Sequence, residues 1–281
     1  MNYQHSFHAG SFADVHKHAS LILLLQAMAR KEKPFLYLET HAGAGRYDLQ
    51  GSAGLGTREW ESGVAKLWEK KAGLYFSKYL EIVSSINSKS LLRYPGSPWI
   101  AKSCLRPRDR MVLLEARFAE AQQLEQVISE HPNRGRPAQV RIGNGYEALR
   151  AWLPPPERRG IIFLDPPFEQ NNEFSRLANA FLAVEKYFAT GTTVAWYPLK
   201  DRKTVSRFYQ TLEKSGLRRL LVAELQVLPE DVGGRLFGSA LLIHNPPWQL
   251  DKELALLGSE LRAILSKNEK TISHVHWVVG A

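Results

Sequence analysis

The segment Asp165-Pro166-Pro167-Phe168 directly follows an apolar run, and its residue types are the most specific to a reaction in this chain. Two consecutive prolines make the loop rigid and lack N–H donors, so nearby carbonyl groups stay free to accept hydrogen bonds. The Asp165 carboxylate and the Pro166 carbonyl could accept both hydrogens of an exocyclic amine, while Phe168 stacks on a planar base. That geometry would localise the nitrogen lone pair for attack on an electrophilic methyl group. An ordinary proline-rich loop is the alternative, and the position directly after a strand argues against it.

A second segment, His244-Asn245-Pro246-Pro247-Trp248, contains a similar Asn-Pro-Pro-aromatic pattern and also follows an apolar run. The order of the predicted strands distinguishes the two. An amine-binding loop should follow the fourth strand, next to the first strand in the sheet, and Asp165 ends the fourth predicted strand. Asn245 ends the last predicted strand, which lies away from the cofactor cleft, so we interpret this segment as a structural turn.

Glycine and polar residues follow the other predicted strands. The pattern Glu39-x-x-x-Gly43-x-Gly45 follows the first strand, Glu115 the second and Asn144-Gly145 the third. Glycines let the backbone turn sharply and approach a ligand, and Glu115 could accept hydrogen bonds from both hydroxyls of a ribose. Asp48 stands where a dinucleotide fingerprint needs its third glycine, which disfavours that fold. For the glycine pattern alone, a tight turn without a ligand explains the residues as well as a binding site does.

Apolar runs alternate with segments of helical periodicity, which predicts a doubly wound α/β sheet. Ligands of such sheets bind at the carboxyl ends of the strands, where the segments described above lie. Residues 51–105 show no clear strand and are predicted to be an inserted helical subdomain, while 1–50 and 106–281 form the main domain. The predicted strands are 35–38, 111–114, 139–142, 160–164, 192–197, 220–228 and 238–244, and the predicted helices are 12–30, 116–130, 146–153, 173–188 and 203–215.

The composition excludes several classes of protein. The chain has 281 residues, 44% of them hydrophobic, a formal net charge of +9 and one cysteine, Cys104. Disorder over most of the length, an internal disulfide framework and a multi-cysteine zinc site are therefore excluded. No apolar run is long enough to span a bilayer and no signal peptide is visible, so we expect a cytoplasmic globular protein.

The excess positive charge lies in two segments, 89–110 and 200–219, each with a net charge of +5. Either segment alone would be interpreted as a solvated face. Two such segments in an otherwise neutral chain favour a surface that binds a polyanion, and we expect both to flank the Asp165 cleft.

Histidines near the N-terminus raise the question of a metal site. His16 and His18 are two residues apart, so a helix would point them to different faces. No acidic or cysteine partner stands at ligand spacing, and we expect no metal. Packing with local hydrogen bonds is one alternative, and an N-terminal segment folded over a cofactor and a substrate base is another. The four histidines concerned are His5, His8, His16 and His18.

Taken together, these residues resemble class I S-adenosylmethionine-dependent methyltransferases, specifically those that methylate amines and carry an (Asp/Asn)-Pro-Pro-aromatic loop. Over essentially its whole length the chain is similar to the RlmJ family of bacterial 23S ribosomal RNA adenine-N6 methyltransferases. This resemblance implies a Rossmann-like sheet, mostly parallel with an antiparallel last strand, plus a helical insertion. The segments that carry the resemblance are 5–10, 13–18, 40–47, 94–98 and 245–248.

The resemblance also implies roles for individual residues. Asp165, Pro166 and Phe168 would be catalytic, and Tyr3 and Phe168 would meet the substrate RNA. The family loop normally ends in Tyr, so Phe168 preserves stacking but removes any role of a hydroxyl. Asn144 stands where the family usually has Asp, and its amide oxygen can still accept a hydrogen bond. The residues implied to bind S-adenosylmethionine are His18, His41, Gly43, Gly45, Ser97, Glu115, Asn144, Gly145 and Asp165.

The expected function is therefore methyl transfer from S-adenosylmethionine to N6 of an adenine in 23S ribosomal RNA, by a monomer that needs neither metal nor membrane. DNA adenine-N6 methylation, protein glutamine-N5 methylation and a non-catalytic RNA-binding assembly factor are the alternatives. No DNA-reading module is recognisable, and the basic segments disfavour a protein substrate. A non-catalytic scaffold is disfavoured because the chain has the residues that the site needs: Asp165, Glu115, Gly43 and Gly45.

Overall fold

An eight-stranded sheet with helices on both faces forms the centre of the protein, and a two-stranded sheet lies beside it. The structure is a computed structural model and describes residues 4–70, 73–133, 135, 137–230, 235–266 and 268–280. The strands are β1 Leu36–Glu39, β2 Arg46–Asp48, β3 Arg93–Pro95, β4 Arg110–Glu115, β5 Gln139–Ile142, β6 Gly160–Leu164, β7 Thr192–Leu199, β8 Leu220–Gln226, β9 Gly238–His244 and β10 Ser273–Val279. The helices are α1 Phe12–Ala29, α2 Ser52–Thr57, α3 Glu59–Ser62, α4 Val64–Lys70, α5 Ser77–Ser85, α6 Ser97–Cys104, α7 Phe118–Ser129, α8 Gly145–Trp152, α9 Glu173–Phe188, α10 Arg202–Lys214 and α11 Leu250–Leu265, preceded by a short 3-10 helix, His5–Phe7.

The strand order β10-β8-β9-β7-β6-β1-β4-β5 confirms the predicted Rossmann-like sheet. β1 pairs in parallel with β4 and β6, so that Leu38 lies level with Val112 on one side and Ile162 on the other. β9 is antiparallel to both of its neighbours, and β10 is antiparallel to β8. β1 and β6 are buried along their whole length, as parallel strands covered on both faces must be.

Successive side chains of each strand point to opposite faces of the sheet, which gives two hydrophobic cores. Tyr37 and Phe163 pack in the core that contains α1, α6, α7 and α11. Leu38 and Ile162 pack in the core that contains α8, α9 and α10. α1 is buried on nearly every side, because α5, α6 and α11 pack around it as well as the sheet.

Residues 52–104 form α2 to α6 and also one strand, β3, which the sequence did not indicate. β3 is antiparallel to β2 and places Tyr94 opposite Tyr47. Three residues are too few for a period-two pattern to be recognised. The Gly96 N–H donates to the Gly45 carbonyl over 2.9 Å, so this segment is fastened directly to the glycine-rich turn after β1.

The C-terminal part differs most from the expectation, because β9 is not the last strand. α11 and β10 follow it, and β10 forms one edge of the sheet beside β8. The helical signal is present in the sequence as a stripe of leucines that the helix buries: Leu250, Leu254, Leu257, Leu261 and Leu265.

The Asn245 segment lies at the opposite end of the sheet from Asp165. β9 is antiparallel to β7, and His244 pairs with Thr193 near the start of β7. The Asn245 side-chain amide donates to the Ala189 carbonyl over 2.7 Å. Asn245 therefore stabilises a turn at the amino ends of the parallel strands.

Candidate active site

The carboxyl ends of β1, β4, β5 and β6 meet at one edge of the sheet. Because these strands are parallel and adjacent, the loops after them converge. They bring together the glycine-rich turn that contains Gly43, and Glu115, Gly145 and Asp165. Most of the residues singled out in the sequence are on this edge.

Glu115 holds the glycine-rich turn. Its two carboxylate oxygens accept hydrogen bonds from the Gly43 N–H at 2.8 Å and from the Arg117 N–H at 2.9 Å. Gly43 and Gly45 have φ angles of +60° and +79°, a left-handed conformation that favours glycine. A Cβ on Gly45 would lie 2.7 Å from Leu124. The turn is therefore pressed against α7 beside the Glu115 carboxylate.

Gly145 begins α8 directly against the end of β1. Asn144 caps this helix: its side-chain oxygen accepts from the Tyr146 N–H over 3.0 Å, and its amide donates to Glu147 over 2.8 Å. The Asn144 side chain thus has a structural role in addition to the contact that the resemblance implies. A Cβ on Gly145 would lie 2.0 Å from the Thr40 carbonyl oxygen.

Gly145→Ala is expected to weaken cofactor binding by about tenfold, which corresponds to about 1.4 kcal/mol. The added methyl group must displace the Thr40 backbone and widen the gap between the turns after β1 and β5. Isothermal titration calorimetry with S-adenosylmethionine measures the change. Gly56→Ala is the matched control, since its Cβ comes no closer than 3.9 Å to Phe7, and it should bind the cofactor as the wild type does.

Asp165 forms an ion pair with a buried lysine of α1. Lys17 Nζ lies 2.6 Å from Asp165 Oδ2 and 2.8 Å from Asp14 Oδ1, and its side chain is 4% exposed. No residue of the described part of the chain donates to Asp165 Oδ1. One oxygen of Asp165 is therefore fixed by Lys17, and the other remains able to accept a hydrogen bond from a ligand.

The two carboxylates keep Lys17 charged. Burial favours the neutral amine, but Asp14 and Asp165 outweigh it and raise the pKa of Lys17 above its ordinary value. Burial also opposes an ionised Asp14, yet His5 and Lys17 hold the pKa of Asp14 well below its usual range. Asp14 in addition accepts the Gly10 N–H over 3.0 Å, which ties the N-terminal segment to α1.

Phe168 packs within an aromatic cluster beside Asp165. Its φ angle is +52°, and its ring lies edge-on to Phe174 and Trp196, with centroids 5.2 and 5.8 Å away. Trp196 comes from β7 and also lies under the Lys17 ammonium, 5.4 Å from its ring centroid. These contacts fix the Pro-Pro-aromatic loop at the end of β6.

The other predicted cofactor residues occupy different environments. His41 follows β1 and lies edge-on to Tyr146, and burial and then Arg176 lower the pKa of His41 to about 3. His18 is buried on the side of the insertion, with Nδ1 2.8 Å from the Tyr94 hydroxyl. His41 is therefore neutral and lies at the carboxyl ends of the parallel strands. His18 is instead in contact with Tyr94 of the insertion.

Ser97 joins the insertion to β1. Its hydroxyl donates to Glu39, which also accepts from the Tyr37 hydroxyl over 2.9 Å. Glu39 is fully buried, and burial raises the pKa of its carboxyl to about 8. These contacts place Ser97 beside the turn after β1.

Sequence reasoning missed three residues of this site: Asp14, Lys17 and Trp196. The available signal was an ionisable Lys17 within an otherwise buried helix, which requires a nearby counter-charge. Trp196 gave no signal, because it lies within the apolar run of its strand that follows Thr193. Tyr3 lies outside the described residues.

Neither basic segment lies beside this cleft over its whole length, which corrects the expectation that both flank it. Arg110 begins β4 opposite Leu36, so residues 106–110 lie at the amino ends of the strands, away from Asp165. In the second segment Lys200 follows β7 at the site edge, whereas Arg219 precedes β8 at the opposite edge. Three arginines of the first segment are also neutralised in ion pairs: Arg106 with Asp109, Arg108 with Glu32 and Arg110 with Glu157.

Within the described ranges, no helix combines the length and the apolar character needed to cross a membrane. The same residues contain no group of three or more His, Cys, Asp or Glu side chains arranged to hold a metal ion.

Comparison with known proteins gives consistent matches. The family model described as "Ribosomal RNA large subunit methyltransferase D, RlmJ" matches residues 32–279. A protein of Escherichia coli (strain K12) named Ribosomal RNA large subunit methyltransferase J is 36% identical over 281 residues, 99% of each chain. The protein of that name from Haemophilus influenzae is 37% identical over 257 residues, 90% of each chain. A crystal structure of a Legionella pneumophila protein has a TM-score of 0.87 and 32% identity, and covers 96% of this chain and 98% of its own.

Proposed function

The chain belongs to the RlmJ family of ribosomal RNA large subunit methyltransferases, and we propose that it methylates the N6 amine of an adenine in 23S ribosomal RNA with S-adenosylmethionine as the methyl donor. The observation that carries the reaction is the Asp165 carboxylate. One of its oxygens is fixed by Lys17 and the other has no partner in the described residues, directly beside the glycine-rich turn.

The residues of this edge fit the cofactor. Gly43, Gly45 and Gly145 let the turns after β1 and β5 pack closely against the protein, where a Cβ would collide with Tyr47, Leu124 and Thr40 respectively. Each carboxylate oxygen of Glu115 accepts a hydrogen bond from one backbone N–H group. Each oxygen keeps a further lone pair that can accept a hydrogen bond from a ribose hydroxyl. S-adenosylmethionine, when bound, supplies an electrophilic methyl group on a sulfonium. His18, His41, Ser97 and Asn144 complete the proposed set.

The protein's own part in the reaction is to orient the amine. Asp165 Oδ1 and the Pro166 carbonyl accept the two N6 hydrogens and direct the nitrogen lone pair toward the methyl group. Phe168 provides an aromatic surface for the adenine, and Tyr3 is proposed to meet the RNA as well. Holding the nitrogen in line with the methyl group supplies much of the rate. The proton leaves N6 during or after the attack, to Asp165 or to water.

The adenine must leave its stack to reach this pocket. Unpaired RNA lowers that cost, which favours RNA over duplex DNA as the substrate. A protein glutamine amide would fit the Asp165 loop too, but the family match favours RNA. We propose a cytoplasmic monomer in which 1–50 and 106–281 form the methyltransferase domain and 51–105 the inserted helical subdomain.

Incubation with labelled S-adenosylmethionine and unmodified 23S ribosomal RNA, followed by nucleoside mass spectrometry, tests the proposal. We expect labelled N6-methyladenosine in the nucleosides of this RNA. The same assay with duplex DNA and with protein release factors examines the two enzymatic alternatives. Absence of N6-methyladenosine in the RNA, or a complete failure to bind the cofactor in calorimetry, would contradict the proposal.

A further inference from the structure

A cavity of about 570 Å³ lies beside the glycine-rich turn, and the chemistry described above does not use it. It is formed where β2 and β3 meet the ends of α5 and α7, with α6 behind them. Arg46 of β2, Arg93 of β3, Trp99 of α6 and Glu130 after α7 line it, together with hydroxyl-bearing residues at the end of α5, among them Ser85. Two guanidinium groups therefore face this cavity together with one carboxylate.

The small sheet directs both arginines to the same side. Tyr47 and Tyr94 form a cross-strand pair that is buried in the protein, so the residues next to them in β2 and β3 point to the other face, where all but the buried Pro95 are partly or fully exposed. Arg46 and Arg93 are two of these flanking residues. The ladder thus places two cations on one outward face.

The two arginines differ in how they are held. The Arg46 guanidinium lies 5.5 Å from the Trp99 ring centroid, and its Nη2 lies 2.8 Å from Glu130 Oε2. Trp99 is only 4% exposed, so it is a rigid support. Arg93 is exposed, and within the described residues no hydrogen bond or ion pair engages its guanidinium. Arg46 is pre-oriented, and Arg93 is available to a ligand.

We propose that this cavity binds a backbone phosphate of the substrate RNA, at a few nucleotides from the methylated adenine. The inference rests on the proposed function. Guanidinium groups match the geometry of phosphate oxygens and bind them with two parallel hydrogen bonds. The single carboxylate, Glu130, orients Arg46 and leaves the pair of arginines with a net positive charge.

The position of the cavity suits an RNA chain that also enters the active site. α7 starts three residues after Glu115, at the site edge, and ends at Ser129, directly before Glu130 of the cavity. A helix of this length extends about 18 Å, at 1.5 Å per residue. An RNA strand whose adenine lies in the Asp165 pocket can therefore follow the surface of the glycine-rich turn to Arg46 and Arg93.

Arg93→Gln tests the proposal in the full-length protein. We expect the Kd for a 23S RNA fragment to rise by about three- to tenfold at 0.1 M salt, and the slope of log Kd against log salt to fall by about 0.7 to 0.9, the value for one lost phosphate contact. The KM for RNA should rise with kcat and cofactor affinity unchanged. Arg218→Gln removes the same charge from an exposed residue at the opposite edge and should leave affinity and slope unaltered.

Glu130→Gln is a second variant, and it is expected to change the affinity for RNA in the opposite direction. It removes the only carboxylate that lines the cavity among the described residues, while the amide oxygen of the new side chain can still accept the hydrogen bond that orients Arg46. RNA should therefore bind about two- to threefold more tightly, a gain of the size expected for one exposed ion pair. A merely structural Glu130 would give weaker binding or no change. If the wild type methylates RNA while Arg93→Gln keeps its Kd and salt slope, the phosphate site is wrong and the proposed function stands. If the wild type neither binds nor methylates RNA, both fail.

Discussion

Asp165→Ala is expected to lower the rate of methyl transfer by about 10³-fold, the loss typical of removing one oriented polar group from a reacting centre. Without the carboxylate, only the Pro166 carbonyl remains to accept an N6 hydrogen, and the amine loses its orientation. Cofactor binding should be retained in part, because Glu115 and the glycine-rich turn do not depend on Asp165, although Asp165 is itself one of the residues implied to contact the cofactor. Single-turnover assays with RNA measure the rate, and calorimetry measures the affinity.

Two further variants make this result specific. Asp165→Asn keeps an acceptor oxygen but loses the ion pair with Lys17, so its rate should lie between those of the wild type and Asp165→Ala. Asn245→Ala perturbs a turn at the opposite end of the sheet and should leave the rate per folded molecule intact. If Asn245→Ala abolished methyl transfer and Asp165→Ala did not, the catalytic loop would be misassigned.

The main sheet could be predicted because its buried strands are continuous apolar runs separated by amphipathic helices. The elements that escaped prediction had weaker patterns. β2 and β3 contain three residues each, and their pairing depends on Tyr47 meeting Tyr94 across 47 positions of sequence. α11 has a clear stripe of leucines, but the helix was not predicted because β9 was expected to be the last strand of the sheet.

The candidate active site likewise contains residues that the sequence predicted and residues that it did not. Residues that follow parallel strands were predictable, because topology alone brings Gly43, Glu115, Gly145 and Asp165 to one edge. The contact between Lys17 and Asp165 joins residues 148 positions apart, and no local pattern encodes it. The charge of segment 89–110 was visible in the sequence, but its neutralisation by Glu32 and Glu157 depends on the fold.

Lys17→Met is expected to impair both folding stability and catalysis. The variant leaves Asp14 buried, at 2% exposure, without Lys17, so that only His5 and the Gly10 N–H remain beside its carboxylate. Breaking a buried ion pair in this way costs about 3–5 kcal/mol of unfolding free energy. Asp165 also loses the contact that fixes one of its oxygens, so we expect kcat to fall by about 10²-fold. Chemical denaturation and single-turnover kinetics measure the two effects.

The double variant Asp14→Asn/Lys17→Met separates these two effects. It removes the buried Asp14 carboxylate together with Lys17, so only the partly exposed Asp165 lacks its cation, and stability should recover in part. The rate should stay low, because Asp165 is still without Lys17. If activity recovered along with stability, Lys17 would act only by supporting the fold. A low rate in a well-folded protein that still binds S-adenosylmethionine would instead identify Lys17 as the residue that positions the Asp165 carboxylate for the amine.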